Sequence, residues 1–109
     1  MRRDVFQAIA DPNRRAILDL LADHPLTVND VAEHFRISRP AISKHVKILA
    51  ECGLVEIHPQ GRERYCEARP AKLDEVSEWL ERYRQLWEGR FDRLDEYLKR
   101  VQSEDKPEP

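Results

Sequence analysis

At 109 residues the chain has the size of about one domain, and with 40% hydrophobic and 37% charged residues it combines a small core with a highly charged surface. No apolar run approaches the ~20 residues that a bilayer-spanning helix needs, and Met1-Arg2-Arg3-Asp4 opens no signal-peptide stretch, so a cytoplasmic protein with no membrane partner is expected. The net charge of −2 is unevenly spread: residues 1–33 carry four Arg and six Asp/Glu, residues 34–69 seven Lys/Arg and four Glu, and residues 70–109 eight Lys/Arg and eleven Asp/Glu.

Along the chain, Arg3 to Ala10 holds Val5, Phe6 and Ile9 at the spacing of one helical face. Asp11-Pro12 marks the next helix start, with Asp11 as N-cap and proline at the first helical position. Ala16, Ile17, Leu20 and Leu21 form its buried stripe, and Asp23-His24-Pro25 stops it. Leu26 supplies a short extended piece. Thr27 caps a third helix, Asp30 completing a capping-box-like pattern, with Val28, Val31, Ala32 and Phe35 facing inward. Arg36-Ile37 turns the chain. Ser38 caps a fourth helix, in which Pro40 falls in the tolerant first turn. Ala41, Ile42, Val46, Leu49 and Ala50 face the core there, Arg39, Ser43, Lys44 and Lys47 face out, and Gly53 closes the helix in a left-handed conformation.

Leu54 to Gln60 and Glu63 to Ala68 predict two strands joined by a turn at Gly61-Arg62. Arg64 and Cys66 fall on one side of the return strand and Tyr65 on the other, and Arg69-Pro70 closes the hairpin. From there Leu73, Val76, Leu80, Tyr83, Trp87, Phe91, Leu94, Leu98 and Val101 recur three or four residues apart, close to a heptad seam, with Trp79, Leu86 and Tyr97 widening it. A helix this long finds little to pack on within 109 residues, and a second copy is the natural partner; the alternative is a helix that breaks at Gly89 and folds back. The tail, residues 103–109, is charged, contains proline, and is expected to be disordered.

Two short amphipathic helices joined by a tight turn, the second showing water a row of cations and small polar groups, suit insertion into a DNA major groove. Arg39, Ser43, Lys44 and Lys47 lie at helical offsets that place them on one outward face. Arg39 can fork onto guanine O6 and N7, Ser43 can reach a base edge or a phosphate, and Lys44 and Lys47 suit phosphates. Pro40 and Ala41 can touch thymine methyls, and the first-turn N–H groups near Ser38 attract a phosphate. His45 joins this candidate set at the border of core and groove, where a structural role competes. Arg62 and Arg64 flank the hairpin turn, suiting a minor groove or neighbouring backbone. Double-stranded DNA is therefore the expected partner.

The runs Ala10-Asp11-Pro12-Asn13-Arg14-Arg15-Ala16-Ile17-Leu18, Leu26-Thr27-Val28-Asn29-Asp30-Val31-Ala32 and Ser38 to Leu49, followed by Gly53-Leu54-Val55 and Gly61-Arg62-Glu63-Arg64-Tyr65, resemble the ArsR/SmtB family of bacterial winged-helix repressors. The resemblance covers residues 3–102. It implies a mainly α fold with a small β-wing: a winged helix-turn-helix domain over 1–102, with the helix-turn-helix at 27–53, the wing at 54–69 and a C-terminal dimerisation helix at 72–102. It also implies a homodimer built from the first and last helices, with Val5, Phe6, Ile9, Leu80, Tyr83, Trp87, Phe91, Leu94 and Leu98 at the interface, repressing operators with inverted-repeat half-sites. The family's metal sensors carry a Cys-x-Cys at the start of the third helix or Asp and His pairs on the last. Here the first region reads Leu26-Thr27-Val28-Asn29-Asp30 and residues 72–102 contain no histidine, so no metal and no cofactor is expected. The resemblance names no small-molecule effector.

Cys52 and Cys66 show no zinc-ligand spacing and read as small buried apolar residues. His24, His34 and His58 fall near element ends and read as solvated. No catalytic triad, phosphate loop or paired catalytic carboxylates can be argued, so no enzyme is expected. Trp79 and Trp87 read as packing residues, with a ligand pocket as the alternative. Two rival functions stand beside a DNA-binding repressor: a metal- or thiol-responsive repressor of the same fold using Cys or His, and a protein-interaction module that keeps the fold alone.

Overall fold

The structure, a computed structural model, describes residues 4–104. The elements are α1 (Val5–Ile9), α2 (Pro12–Leu21), β1 (Leu26–Thr27), α3 (Val28–Glu33), α4 (Arg39–Glu51), β2 (Val55–Gln60), β3 (Glu63–Ala68) and, after a 3-10 turn at Pro70–Lys72, α5 (Leu73–Glu104). They divide into two units, one ending at Val76 and one beginning at Ser77.

Side-chain caps set the helix starts of the first unit. Asp4 caps α1 in a reciprocal box, accepting the Gln7 N–H at 2.9 Å while Gln7 Oε1 accepts the Asp4 N–H at 3.2 Å. Asp11 caps α2, accepting from Asn13 and Arg14, with Pro12 at the first helical position as the sequence predicts. Thr27 Oγ1 accepts the Asp30 N–H at 3.1 Å, and Ser38 Oγ the Ala41 N–H at 3.3 Å. At the far end of α4, Gly53 takes φ +78°, its N–H bonds Ala50 O at 3.1 Å, and the Leu54 N–H bonds Leu49 O at 3.0 Å. This is a Schellman closure, and Leu49 and Leu54, both fully buried, supply its usual apolar contact.

Ile17, Val31, Ile42, Val46, Leu49, Leu54 and Cys66 are the largest fully buried side chains. Around them Val5, Ala8, Leu21, Ile48, Cys52 and Val55 complete one core, against which Leu73 and Val76 at the start of α5 pack. Three corrections to the expected faces follow. On α1 the core takes Val5 and Ala8, while Phe6 is 39% exposed and Ile9 half-buried. Val5, expected at a dimer contact, is thus buried within its own chain. On α4 Ile48 is buried, while Ala41 and Ala50 are only partly so. On α2 Ala16 and Leu20 are half-buried, leaving Ile17 and Leu21 as the buried pair.

The sheet is antiparallel with order β1-β3-β2. In the hairpin Val55 pairs with Ala68 and Gln60 with Glu63, leaving Gly61-Arg62 as a two-residue turn. Gly61 has φ +63° and, among the described residues, no non-glycine residue has positive φ, the pattern of a turn that wants glycine at its first central position. The short extended piece at Leu26 proves to be a third strand, Leu26 opposite Cys66 and Thr27 opposite Tyr65.

In the second unit α5 continues unbroken past Gly89 to Glu104, so Ser103 and Glu104, expected in a disordered tail, are helical; the remainder of that tail and Arg3 lie outside the described residues. Four aromatic side chains one turn apart contact in series. Trp79 stacks on Tyr83 at 5.1 Å between ring centroids, Tyr83 meets Trp87 edge-on at 5.9 Å, and Trp87 meets Phe91 at 5.8 Å. Leu80, Leu86, Leu94, Tyr97 and Leu98 are exposed with them. Arg84 bridges Glu81 at 2.8 Å and Glu88 at 3.4 Å, and Lys99 bridges Asp95 at 3.2 Å.

Candidate nucleic-acid interface

Arg39, Ser43 and Lys47 follow one another at four-residue steps on α4, so their side chains share a face. That face forms one wall of a cleft of about 670 Å³. The opposite wall is the hairpin end, Arg62, Glu63 and Arg64, and the floor includes Val46 and Ile57; Thr27, Val28 and Asn29 close the third side. Residues far apart in sequence thus meet at one concave surface carrying Arg39, Lys47, Arg62 and Arg64 against the single carboxylate of Glu63. Glu63 is itself engaged, accepting the Tyr65 hydroxyl at 3.2 Å, and this hydrogen bond raises the pKa of the phenol. A concave surface with an excess of one charge sign strengthens attraction for a polyanion.

The remaining candidates lie outside the cleft lining. Ser38 and Pro40 are exposed at the start of α4, Ala41 is half-buried, and Lys44 is exposed one position round the helix from Ser43. His45 belongs elsewhere in the structure: its Nδ1 stands 3.4 Å from Arg14 Nη1, and it is half-buried. This geometry supplies the structural role that competed for His45 in the sequence.

Three residues that matter locally escaped sequence reasoning. Arg14 donates from Nε to Ala8 O at 2.7 Å and from Nη2 to Gln7 O at 2.9 Å, closing the C-terminal turn of α1, with a side chain only 14% exposed. Arg15 does the same for Ile9 O at 2.7 Å. The only sequence signal is two arginines soon after the end of α1, and it cannot show that they reach back. Asn29 is the third: its Oδ1 accepts from Arg39 Nε, joining the first turns of α3 and α4.

Asp11 feels opposing effects. Burial raises its pKa, but the N–H bonds from Arg14 and Asn13 and the charges of His45 and Arg14 outweigh this and hold it below the usual carboxylate range. On the hairpin, Glu56 and Glu67 face each other across the strands, a pairing of like charges that needs compensation. Arg69 supplies it, 2.6 Å from Glu56 and 3.6 Å from Glu67, with His58 Nε2 at 2.9 Å from Glu67. His58 is therefore a half-buried cross-strand partner rather than a solvated end residue. Both cysteines are buried, and burial pushes the pKa of Cys66 up. Among the described residues no group of three or more His, Cys, Asp or Glu is placed to hold a metal ion, and no helix is long and apolar enough to cross a membrane.

Residues 11–56 match the family described as bacterial regulatory protein, arsR family. The chain is 42% identical over 77 residues to the transcriptional repressor SdpR of Bacillus subtilis strain 168, a match spanning 71% of this chain and 86% of that protein. A crystal structure of an ArsR family transcriptional regulator superposes with a TM-score of 0.70 at 40% identity, covering 76% of this chain and 91% of the other. The homodimeric winged helix-turn-helix DNA-binding domain of a possible ArsR-family regulator from Mycobacterium bovis superposes with a TM-score of 0.60 at 25% identity, covering 74% and 75%. A helix-turn-helix formed by α3 and α4, followed by a β2–β3 wing, is what these structures share with the chain. From this architecture and these relatives, the chain belongs to the arsR family of bacterial regulatory proteins and is a winged helix-turn-helix transcriptional regulator.

Proposed function

We propose that the protein is a cytoplasmic repressor that binds double-stranded DNA as a homodimer at an inverted-repeat operator. The observation that carries this reading is the convergence of Arg39, Ser43 and Lys47 with Arg62 and Arg64 on one cationic cleft. In this reading α4 enters the major groove. Arg39 reads guanine, Ser43 meets a base edge or phosphate, and Lys44 and Lys47 hold phosphates. Ser38, at the N-terminal end of α4, approaches a backbone phosphate, Pro40 and Ala41 approach thymine methyls, and Arg62 and Arg64 follow the adjacent minor groove. The second copy covers Leu80, Tyr83, Trp87, Phe91, Leu94 and Leu98 of α5, together with Phe6 and the half-buried Ile9 of α1. A stripe of nine exposed large apolar side chains on one helix supports this, because soluble chains rarely leave so contiguous a surface uncovered. Two recognition helices then meet successive grooves about one DNA turn, roughly 34 Å, apart.

Selection of bound fragments from random duplex DNA, with sedimentation of the protein alone, tests the reading. Enrichment of a palindrome by a dimeric protein is expected, with affinity falling steeply as salt rises. A monomer at micromolar concentration that enriches no sequence would overturn it.

A further inference from the structure

Resting on the DNA-binding reading above, we infer that Asn29 is a specificity-determining positioning residue: it aims Arg39 at a base. The bond from Arg39 Nε to Asn29 Oδ1 spans the helix-turn-helix, its donor in the first residue of α4 and its acceptor in the second residue of α3. Both backbones are pinned next to it. Thr27 Oγ1 accepts the Asp30 N–H on the Asn29 side, and Ser38 Oγ accepts the Ala41 N–H on the Arg39 side. One further hydrogen bond between two such anchored residues fixes the plane of the guanidinium rather than only its distance.

The choice of Nε matters chemically. A guanidinium has five N–H donors and two ways to present a parallel pair, one along the Nε edge and one at the Nη1/Nη2 end. With Nε committed to Asn29, the end-on pair is what Arg39 can offer, and two parallel donors match guanine O6 and N7. Both residues line the same cleft as Ser43, Lys47, Arg62 and Arg64, so the aimed group faces the surface the DNA would occupy. Without Asn29 the long arginine side chain samples many rotamers, and a wandering guanidinium serves any phosphate equally well. Asn29 thus converts a general anion binder into a base reader.

The test begins with duplexes selected by the wild type and identifies the base pair at which Arg39→Ala loses its preference. At that pair Asn29→Ala is expected to lose about fivefold to tenfold in discrimination, up to the worth of one good base contact. Affinity for random-sequence DNA should fall by a smaller factor than the discrimination ratio does. Asn29→Asp keeps an Oδ acceptor and should keep the discrimination ratio, even where its charge weakens binding to every sequence. Asn29→Ala combined with Arg39→Ala should discriminate no worse than Arg39→Ala alone. Full discrimination by Asn29→Ala, an equal loss on all sequences, or tighter binding caused by release of a sequestered arginine each overturns the inference while leaving the DNA-binding reading intact. A wild type that selects no sequence overturns both. Asn29 is exposed, and thermal unfolding of each variant monitors the fold.

Discussion

Arg39 and Lys47 stand two turns apart on one face of α4 and line the same cleft, yet their removal should be felt differently. Arg39→Ala is expected to cost about 1–3 kcal/mol of operator binding and to relax preference at one base pair. Lys47→Ala should weaken all duplexes alike and lower the slope of log affinity against log salt by about one. Titrations of operator and random DNA at several salt concentrations separate the two. Asp11 matters for folding rather than contact. Its cap on α2 is worth about 1 kcal/mol, so Asp11→Ala should lower the unfolding temperature by several degrees. Its carboxyl is held below the usual range in the folded chain, so the charge-dependent part of that stability is present above the unfolded-state pKa and is lost as pH falls through the folded one. The gap in unfolding temperature between wild type and Asp11→Asn should accordingly narrow on going from pH 7 to pH 3. The sequence shows Arg39, Ser43 and Lys47 as a face because helical periodicity is local. It cannot show Asn29 beside Arg39, because that contact depends on the angle between two helices, nor Arg14 beneath α1, because a long side chain can reach in many directions.

Elements closed by local chemistry are the ones the sequence specifies best. Asp11-Pro12, Ser38 and Gly53 mark their helix ends, and Gly61-Arg62 sets the hairpin register from Val55 opposite Ala68 to Gln60 opposite Glu63. The pairing of β1 with β3 escapes such reasoning, since Leu26-Thr27 is two residues long and meets Cys66 and Tyr65 about forty positions later. Ile48 escapes it because α4 is covered on more than one side, so its buried face is wider than a single stripe. Gly53 supports a direct test. An added Cβ there would meet the flexible Lys72 side chain at 3.2 Å, which can move, but φ +78° strains any L-residue. Gly53→Ala should therefore destabilise the domain by about 1–2 kcal/mol in urea unfolding, with an unchanged denaturant slope. A loss much below that would mean the α4 closure can be rebuilt without a left-handed residue.

For the molecule as a whole, an overall charge of −2 is compatible with binding a polyanion because the positive excess is confined to residues 34–69. The acidic residues of α5 sit in a helix whose proposed task is holding two copies together. Leu94→Glu combined with Leu98→Glu changes two exposed side chains, so each protomer should still fold. Sedimentation is expected to give monomers, and operator affinity should fall about a hundredfold or more, since the two half-sites are then no longer engaged by one tethered unit. Dimers of unaltered stability in this variant would place the interface elsewhere. The periodicity of α5 makes its apolar stripe legible in sequence, whereas the choice between a second copy and a fold-back at Gly89 is a question of tertiary partners that periodicity does not answer. The chain has two tryptophans, Trp79 and Trp87, and both lie on this stripe, 43% and 38% exposed. Indole emission from the native protein therefore originates entirely in α5. A blue shift on raising concentration would report subunit pairing without a label, and the winged unit would add no indole signal while it takes up DNA.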